Sequence, residues 1–450
     1  MYRSPVIEFA GVVLSILAFA MPEPARAEAL EAVIAQTLAT SPDVRQVAAN
    51  RRATDQQLQQ SYAGYLPRVD FNGVYGFENS DNPTTRGLGE GDVSMTRREL
   101  GLTARQMVYD GNAVSSDVEF QRSRVRSAAH RVGETSESTA LRTVEVYLEV
   151  LRRQEIVALA EESVTLHRTI LEQIRARAKG GAGNTADVTQ AEARLALAQS
   201  SLVGAKGNLF TARNSYQRVV GETPSELVEP SPPQAGLPAN LDEALQRARD
   251  RHPTLMAAMA ELEAAQAQRG GSRAAFLPRF DLELGTTNNH NLDGVSGTNR
   301  DLTALLRMRY NLFRGGADQA RQRETAERVT AAQQGLDRAL RQINEGVRVA
   351  WDGLETARQR LEFLTAHRDA SERVLNAYRK QFGIGQRTLL DVLDSENELF
   401  NARTARVSGR YAVSLGVYRL IGSTGELLPT LKLAPPADSA PQAGDLQLPW

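Results

Sequence analysis

The sequence predicts a mainly α-helical chain with a small β part, in which one unit of helix, β-hairpin, long helix and returning helix is laid down twice. Three observations carry that reading. Short motifs return in the same order, two helical stretches run far longer than a globular domain needs, and strict period-two alternation precedes each of them.

The first element, residues 1–27, reads as a secretory signal peptide. Arg3 supplies a positive charge, 9–21 is apolar, and Ala25-Arg26-Ala27 fits a small-x-small cleavage site, so the exported chain starts at Glu28. Glu8 ahead of the apolar run is unusual, and an uncleaved interfacial anchor is the alternative. Further on, Ser41-Pro42 and Tyr65-Leu66-Pro67-Arg68-Val69-Asp70-Phe71 return as His252-Pro253 and Phe276-Leu277-Pro278-Arg279-Phe280-Asp281-Leu282. Val108-Tyr109-Asp110-Gly111 is answered by Leu312-Phe313-Arg314-Gly315, Asp187-Val188 by Asp391-Val392, and Val219-Val220-Gly221 by Leu420-Ile421-Gly422. The repeats are thus 28–228 and 241–425, joined by a stiff proline-rich linker at 229–240. A tail, 426–450, carries Pro429, Pro435, Pro436, Pro441 and Pro449 and is expected to be disordered or loosely draped.

Each repeat opens with a helix, 28–63 and 241–274, that stops at Leu-Pro. Alternation follows. Phe280, Leu282 and Leu284 are apolar and Asp281 and Glu283 between them are not; Leu302, Ala304, Leu306, Met308, Tyr310 and Leu312 alternate with Thr303, Arg307, Arg309 and Asn311. Period two means strands with one apolar and one polar face. The first repeat does this less cleanly, through Val69, Phe71, Tyr75 and Phe77, then Leu100, Leu102, Ala104 and Val108. Polar loops at 78–98 and 288–301 join each pair, giving one hairpin per repeat. Gly-Asn or a glycine pair then starts a helix at 113–178 and 317–380, roughly 100 Å long at about 1.5 Å per residue. Leu340, Ile343, Val347, Ala350, Leu354, Ala357, Leu361 and Leu364 form a heptad seam, which Leu141, Val144, Leu148 and Leu151 begin in the first repeat. Glycine turns follow, and helices return at 187–218 and 388–420.

Composition excludes several classes. With 53 Lys plus Arg against 54 Asp plus Glu, the net charge of -1 supplies no global field for nucleic acid. The absence of cysteine removes disulfide scaffolds, thiolate metal sites and catalytic thiols. No histidine spacing suits a metal and no catalytic motif appears, so neither an enzyme nor a cofactor is expected. Past the N-terminus no apolar run is long enough for a spanning helix, a test that leaves β-barrels open.

One-sided strands in an exported chain suit a membrane barrel with a wet lumen. Four strands cannot close one, so the hairpins of several copies would be pooled: two chains give eight strands, which side chains would fill, and three give twelve. The alternative is an exported coiled-coil scaffold without a pore. Here the residues carry a resemblance. Phe382-Gly383-Ile384-Gly385-Gln386-Arg387-Thr388-Leu389-Leu390-Asp391-Val392-Leu393-Asp394, running into Glu398-Leu399-Phe400-Asn401-Ala402-Arg403, together with the Leu-Pro-Arg entries and the Tyr-Asp-Gly and Leu-Phe-Arg-Gly exits of the hairpins, resembles the TolC family of outer-membrane efflux and type I secretion proteins. The loop and Leu-Leu-Asp details are closer to the type I secretion branch. The resemblance implies a homotrimer with one twelve-stranded barrel in outer-membrane lipid and a twelve-helix tunnel in the periplasm. It also implies a periplasmic adaptor protein and an inner-membrane ABC or proton-driven transporter as partners.

Candidate site residues lie at the turns. Asp391 and Asp394 share one face of the first turn of the returning helix. Spacing alone favours a bland role, because Thr388 with Asp391 matches a capping box; the resemblance implies instead an acidic ring at the periplasmic entrance. It further implies gate links through Arg387, with Asp187 as acceptor and Phe382 where relatives often carry tyrosine. Phenylalanine cannot make the hydroxyl hydrogen bond, and a lone turn arginine is commonly just solvated. Gly180, Gly181, Gly183, Gly383 and Gly385 read as helix C-caps, and the resemblance makes them the tips that receive the adaptor.

Overall fold

The computed structural model describes residues 29–181, 184–234 and 236–440; the expected signal peptide 1–27, Gly183 and Trp450 lie outside the described residues. Each repeat opens not on one helix but on two. In the first, α1 (Leu30–Thr40) and α2 (Pro42–Tyr62) are separated at Ser41; in the second, α6 (Leu241–Arg251) and α7 (Pro253–Gly271) are separated at His252. The cause is local. A residue before proline is pushed out of the helical region, and Ser41 and His252 sit at ψ 125 and 122 while the proline takes the first helical position.

The hairpin strands are β1 (Arg68–Ser80) and β2 (Val93–Tyr109), with a short helix α3 (Pro83–Gly87) in their loop, and β3 (Arg279–Leu292) and β4 (Val295–Arg309). All four join one antiparallel sheet in the order β1-β2-β3-β4, so the repeats meet edge to edge between β2 and β3. From β2 the chain enters α4 (Ala113–Lys179) through Gly111 and Asn112, both at positive φ, and from β4 it enters α8 (Ala317–Gly383) through Gly315 and Gly316, also at positive φ. Left-handed backbone explains the Gly-Asn and Gly-Gly pairs. Asp110 completes the first entry, its two carboxylate oxygens accepting from the Ala113 and Val114 N–H groups at 3.0 and 2.8 Å.

The returning helices are α5 (Thr185–Val220) and α9 (Leu389–Ser423). Near the sheet the packed order is α2, α4, α7, α8; toward the far tips it is α5, α4, α9, α8. Four staves therefore run the whole length, two of them continuous. On α9, Gly409 and Gly416 stand one heptad apart, and a Cβ on either would come within 2.9 Å of Leu364 and 3.1 Å of Leu354 respectively, which is how the α8 leucine seam comes so close.

The main core sits midway, where α1, α6 and the linker wrap the staves: Ile34, Val144, Tyr147, Tyr216, Leu245, Val347, Tyr418 and Ile421 are all buried in it. The 229–240 linker is pinned to this core at its start, since the Tyr147 hydroxyl donates to the Val228 carbonyl at 2.6 Å and accepts from its N–H at 2.9 Å. The tail departs from expectation. Leu427, Leu428 and Leu431 are buried, a short helix α10 (Leu427–Thr430) forms, and Glu137 of α4 accepts from the Leu427 and Leu428 N–H groups at 2.9 and 3.1 Å. The prolines drew attention from three leucines that have core to bury. What remains of the expected loose tail, 441–450, lies outside the described residues.

Candidate functional site

Two regions of the chain bear on function, the sheet and the helical tips. The sheet is inverted relative to a soluble protein. Phe71, Tyr75 and Phe77 on β1, Leu100 and Leu102 on β2, Leu282 and Leu284 on β3, and Leu302, Leu306 and Met308 on β4 are exposed, with Tyr75 at 79% and Leu302 at 87%. The strand register puts all of these on one face. The opposite face carries charge that is shielded: Asp281 is fully buried and takes Arg309 at 2.7 Å and Arg279 at 3.1 Å, while Glu283 takes Arg307 and Arg105, both at 2.8 Å. Exposed apolar and shielded ionic faces suit a wall with hydrocarbon outside and water inside. Aromatics mark its lower end, next to the helices, through Tyr65, Tyr109, Phe276, Tyr310 and Phe313.

At the far tips the capping box that the spacing suggested forms, while Asp394 and Arg387 take partners that the spacing did not indicate. Thr388 caps α9, and Asp391 closes a capping box, accepting from the Thr388 hydroxyl at 2.8 Å and its N–H at 3.1 Å. Those two donors, the hydroxyl first, hold the Asp391 carboxyl below the usual carboxylate range. Asp394 reaches across to α5 and pairs with Arg194 at 2.5 Å. Arg387 stays on its own tip: its guanidinium lies over the Tyr378 ring at 4.3 Å, donates from Nε to Gln381 at 3.1 Å, and comes within 3.9 Å of Asp391. Asp187, half-buried in the first turn of α5, makes no ion pair among the described residues, so no Arg387–Asp187 link forms within one chain.

Phe382 has a structural partner instead of a hydroxyl bond. It packs beside Leu389, Leu393 and Val392 with the Arg177 guanidinium 4.6 Å above its ring, which ties the end of α8 to α4. Around Gly181, Gly383 and Gly385 there is open space, with no atom within 4 Å of a Cβ placed there, and Gly181 and Gly385 sit at positive φ. The turn backbones are therefore bare at both tips. Gly180 ends α4, its N–H donating to the Ala176 carbonyl at 3.0 Å.

Spacing missed the cross-helix groups. Arg194 and Glu396 with its partner Arg379 link one helix to another, while the buried His167 bonds the Ser163 carbonyl within α4 at 2.8 Å. Burial pushes the Glu396 carboxyl up despite Arg379. A ladder also runs along the α4–α9 seam, Glu145–Arg419, Glu155–Arg410 and Glu162–Arg403, with every acid on α4 and every arginine on α9. Among the described residues no cluster of His, Asp and Glu could hold a metal, and no helix is long and apolar enough to cross a membrane.

An inverted four-stranded sheet carried on four long staves defines an outer-membrane duct with a helical extension. The comparisons agree with that class. The family model for the outer membrane efflux protein matches residues 33–222 and 244–426, and the chain belongs to that family. It is 27% identical to the outer membrane efflux protein BepC of Brucella suis biovar 1 over 383 residues, 84% of this chain and 80% of that one. It is 28% identical to the protein CyaE of Bordetella pertussis over 414 residues, 89% and 84% of the two chains. A crystal structure of a membrane protein from Pseudomonas aeruginosa superposes with a TM-score of 0.78 at 18% identity, covering 88% of this chain and 90% of that one. The protein is an outer-membrane channel-tunnel for efflux or secretion, with helices that extend into the periplasm, and the pore-free scaffold is set aside.

Proposed function

We propose that three copies of this chain form the working duct, a twelve-stranded barrel continued by twelve staves, which passes proteins or small molecules delivered by a periplasmic adaptor and an inner-membrane ABC or proton-driven transporter. The inverted sheet, open at both edges, carries this reading. β1 and β4 have no outer partner among the described residues, they run antiparallel to each other, and unpaired strand edges cannot face lipid. Joining β4 of one copy to β1 of the next removes every edge. Two copies would crowd the arginine-lined inner faces into a filled barrel, whereas three leave a passage. The outermost staves support the same arrangement, since α5 exposes Leu197, Val203 and Phe210 and α8 exposes Val349, Phe363 and Val374.

At the periplasmic mouth, threefold symmetry would gather Asp391 and Asp394 into an acidic ring that screens what enters. Arg387, Phe382 and Asp187 then belong to the closing contacts, with the half-buried Asp187 free to accept from a neighbouring copy. The bare turns at Gly181, Gly383 and Gly385 suit close approach of an adaptor, and Gly180 and Gly183 belong to the same proposed docking tips. No catalytic step is part of this function. Mass measurement of the detergent-extracted protein should give three chains, and planar-bilayer recordings should show discrete channels. A stable monomer, or a trimer that never conducts, overturns the reading.

A further inference from the structure

The arginines of the sheet divide by face. On the inner face Arg68, Arg97, Arg105, Arg279, Arg307 and Arg309 are each ion-paired. On the outer, apolar face stand Arg98 of β2 and Arg300 of β4; both are exposed, and neither guanidinium has a hydrogen bond or ion pair among the described residues. Their height is specific. From the aromatic rim at Tyr109 to Arg98, at about 3.4 Å per residue and a tilt of about 40°, β2 climbs roughly 28 Å, and the path from Tyr310 to Arg300 climbs roughly 26 Å. That is the height of a barrel's apolar band, about 25 Å. Tyr75, the exposed aromatic opposite Arg98, stands at the same level.

Arg98 is opposite His290 and Arg300 is opposite Asn288, so the two arginines straddle β3 diagonally, with Cα atoms roughly 12 Å apart for strands spaced about 4.8 Å. His290 and Asn288 fill the space between, adding polar groups to the same outward patch. The helices lie on the periplasmic side, so this level is the outer leaflet. We propose that Arg98 and Arg300 form a docking site for a phosphate-bearing lipid head group of that leaflet. A guanidinium fork matches phosphate oxygens, and the two forks reach two anionic groups of one lipid or of neighbours. The exposed leucines below, Leu100, Leu102, Leu302 and Leu306, receive its acyl chains.

Native mass spectrometry of the whole extracted protein tests this, with bis-phosphorylated lipid A and its dephosphorylated form as probes. The wild type should retain the phosphorylated lipid about tenfold more than the dephosphorylated one. Arg98→Gln with Arg300→Gln should remove that preference, Arg98→Lys with Arg300→Lys should keep part of it, and Arg86→Gln, in the loop above, should leave it unchanged. Should the glutamine variant fail to assemble, the lysine variant decides, since it must still prefer the phosphorylated form. An unchanged preference in the glutamine variant, equal retention of both lipids, or displacement by millimolar inorganic phosphate would overturn the proposal, the last by showing a soluble-anion site.

Discussion

Arg194 of α5 closes on Asp394 of α9 at 2.5 Å, joining the two repeats at the tip farthest from the membrane. The acid expected to carry half of the entrance charge is thus partly neutralised from within its own chain, and Asp391 is engaged with Thr388. Removing Arg194 therefore exposes charge that the native tip keeps covered.

Single-channel recordings with multivalent cations on the periplasmic side read this directly. Asp391→Ala with Asp394→Ala should abolish block, and Arg194→Gln should strengthen it. Stability of the assembly should change little, because an exposed pair contributes about 0 to 1 kcal/mol and a lost cap about 1. Full block in the double aspartate variant would leave the carboxylates as helix caps and ion-pair partners only.

Arg387→Ser should raise conductance, since it frees the end of α9 from Tyr378 and Gln381. Arg403, which by its place along the returning helix would serve as a neutral control, is not one: it bridges Glu162 of α4 at 2.9 Å and Glu372 of α8 at 3.2 Å. Arg403→Ser should loosen the α4–α9 seam and lower the melting temperature, while Arg406→Ser should leave both readouts near wild type.

Glu137 should make folding stability pH-dependent. Burial pushes its carboxyl from 4.5 up to about 7, against the pull of the Leu428 and Leu427 N–H groups. The folded state holds that proton more tightly than the unfolded chain, so stability is greatest below about pH 4.5 for this group and is lost as pH rises toward 7. The loss is on the order of 3 kcal/mol. Melting followed by circular dichroism at pH 5 and 8 should show the difference, and Glu137→Gln should shrink it; an unchanged difference in that variant assigns it to other groups.

Truncation separates the tail's two parts. Ending the chain near Ala434 keeps Leu427, Leu428 and Leu431 in place and should leave assembly intact, whereas ending it before Leu427 should not. Removing Trp450 alone should not prevent insertion, because the last strand among the described residues ends at Arg309. Loss of insertion on that single deletion would show that the terminal aromatic matters.

The duplication, the hairpins and the long staves were legible because each repeats a local pattern: motif order, period two, or heptads. Ser41-Pro42 and His252-Pro253 were visible as repeat markers, but the helix break they impose follows from the conformation of the residue before proline. Thr388 and Asp391 were readable as a cap for the same local reason. Arg194 with Asp394 and Glu137 with Leu427 were not, since each pair lies far apart in the chain and is set by which staves become neighbours. Leu427, Leu428 and Leu431 were outweighed by the prolines around them, because composition averages over residues that packing treats singly.

The clasp between Glu137 and the backbone after α9 orders events during biogenesis. Glu137 lies within α4, early in the chain, yet the two N–H groups it accepts come from residues 427 and 428, among the last to cross the inner membrane. Until they arrive, the Glu137 carboxylate lacks both of these backbone donors. The repeats accordingly mature together rather than in turn. A chain broken off before residue 427 therefore leaves α4 without the clasp that ties it to the end of the second repeat.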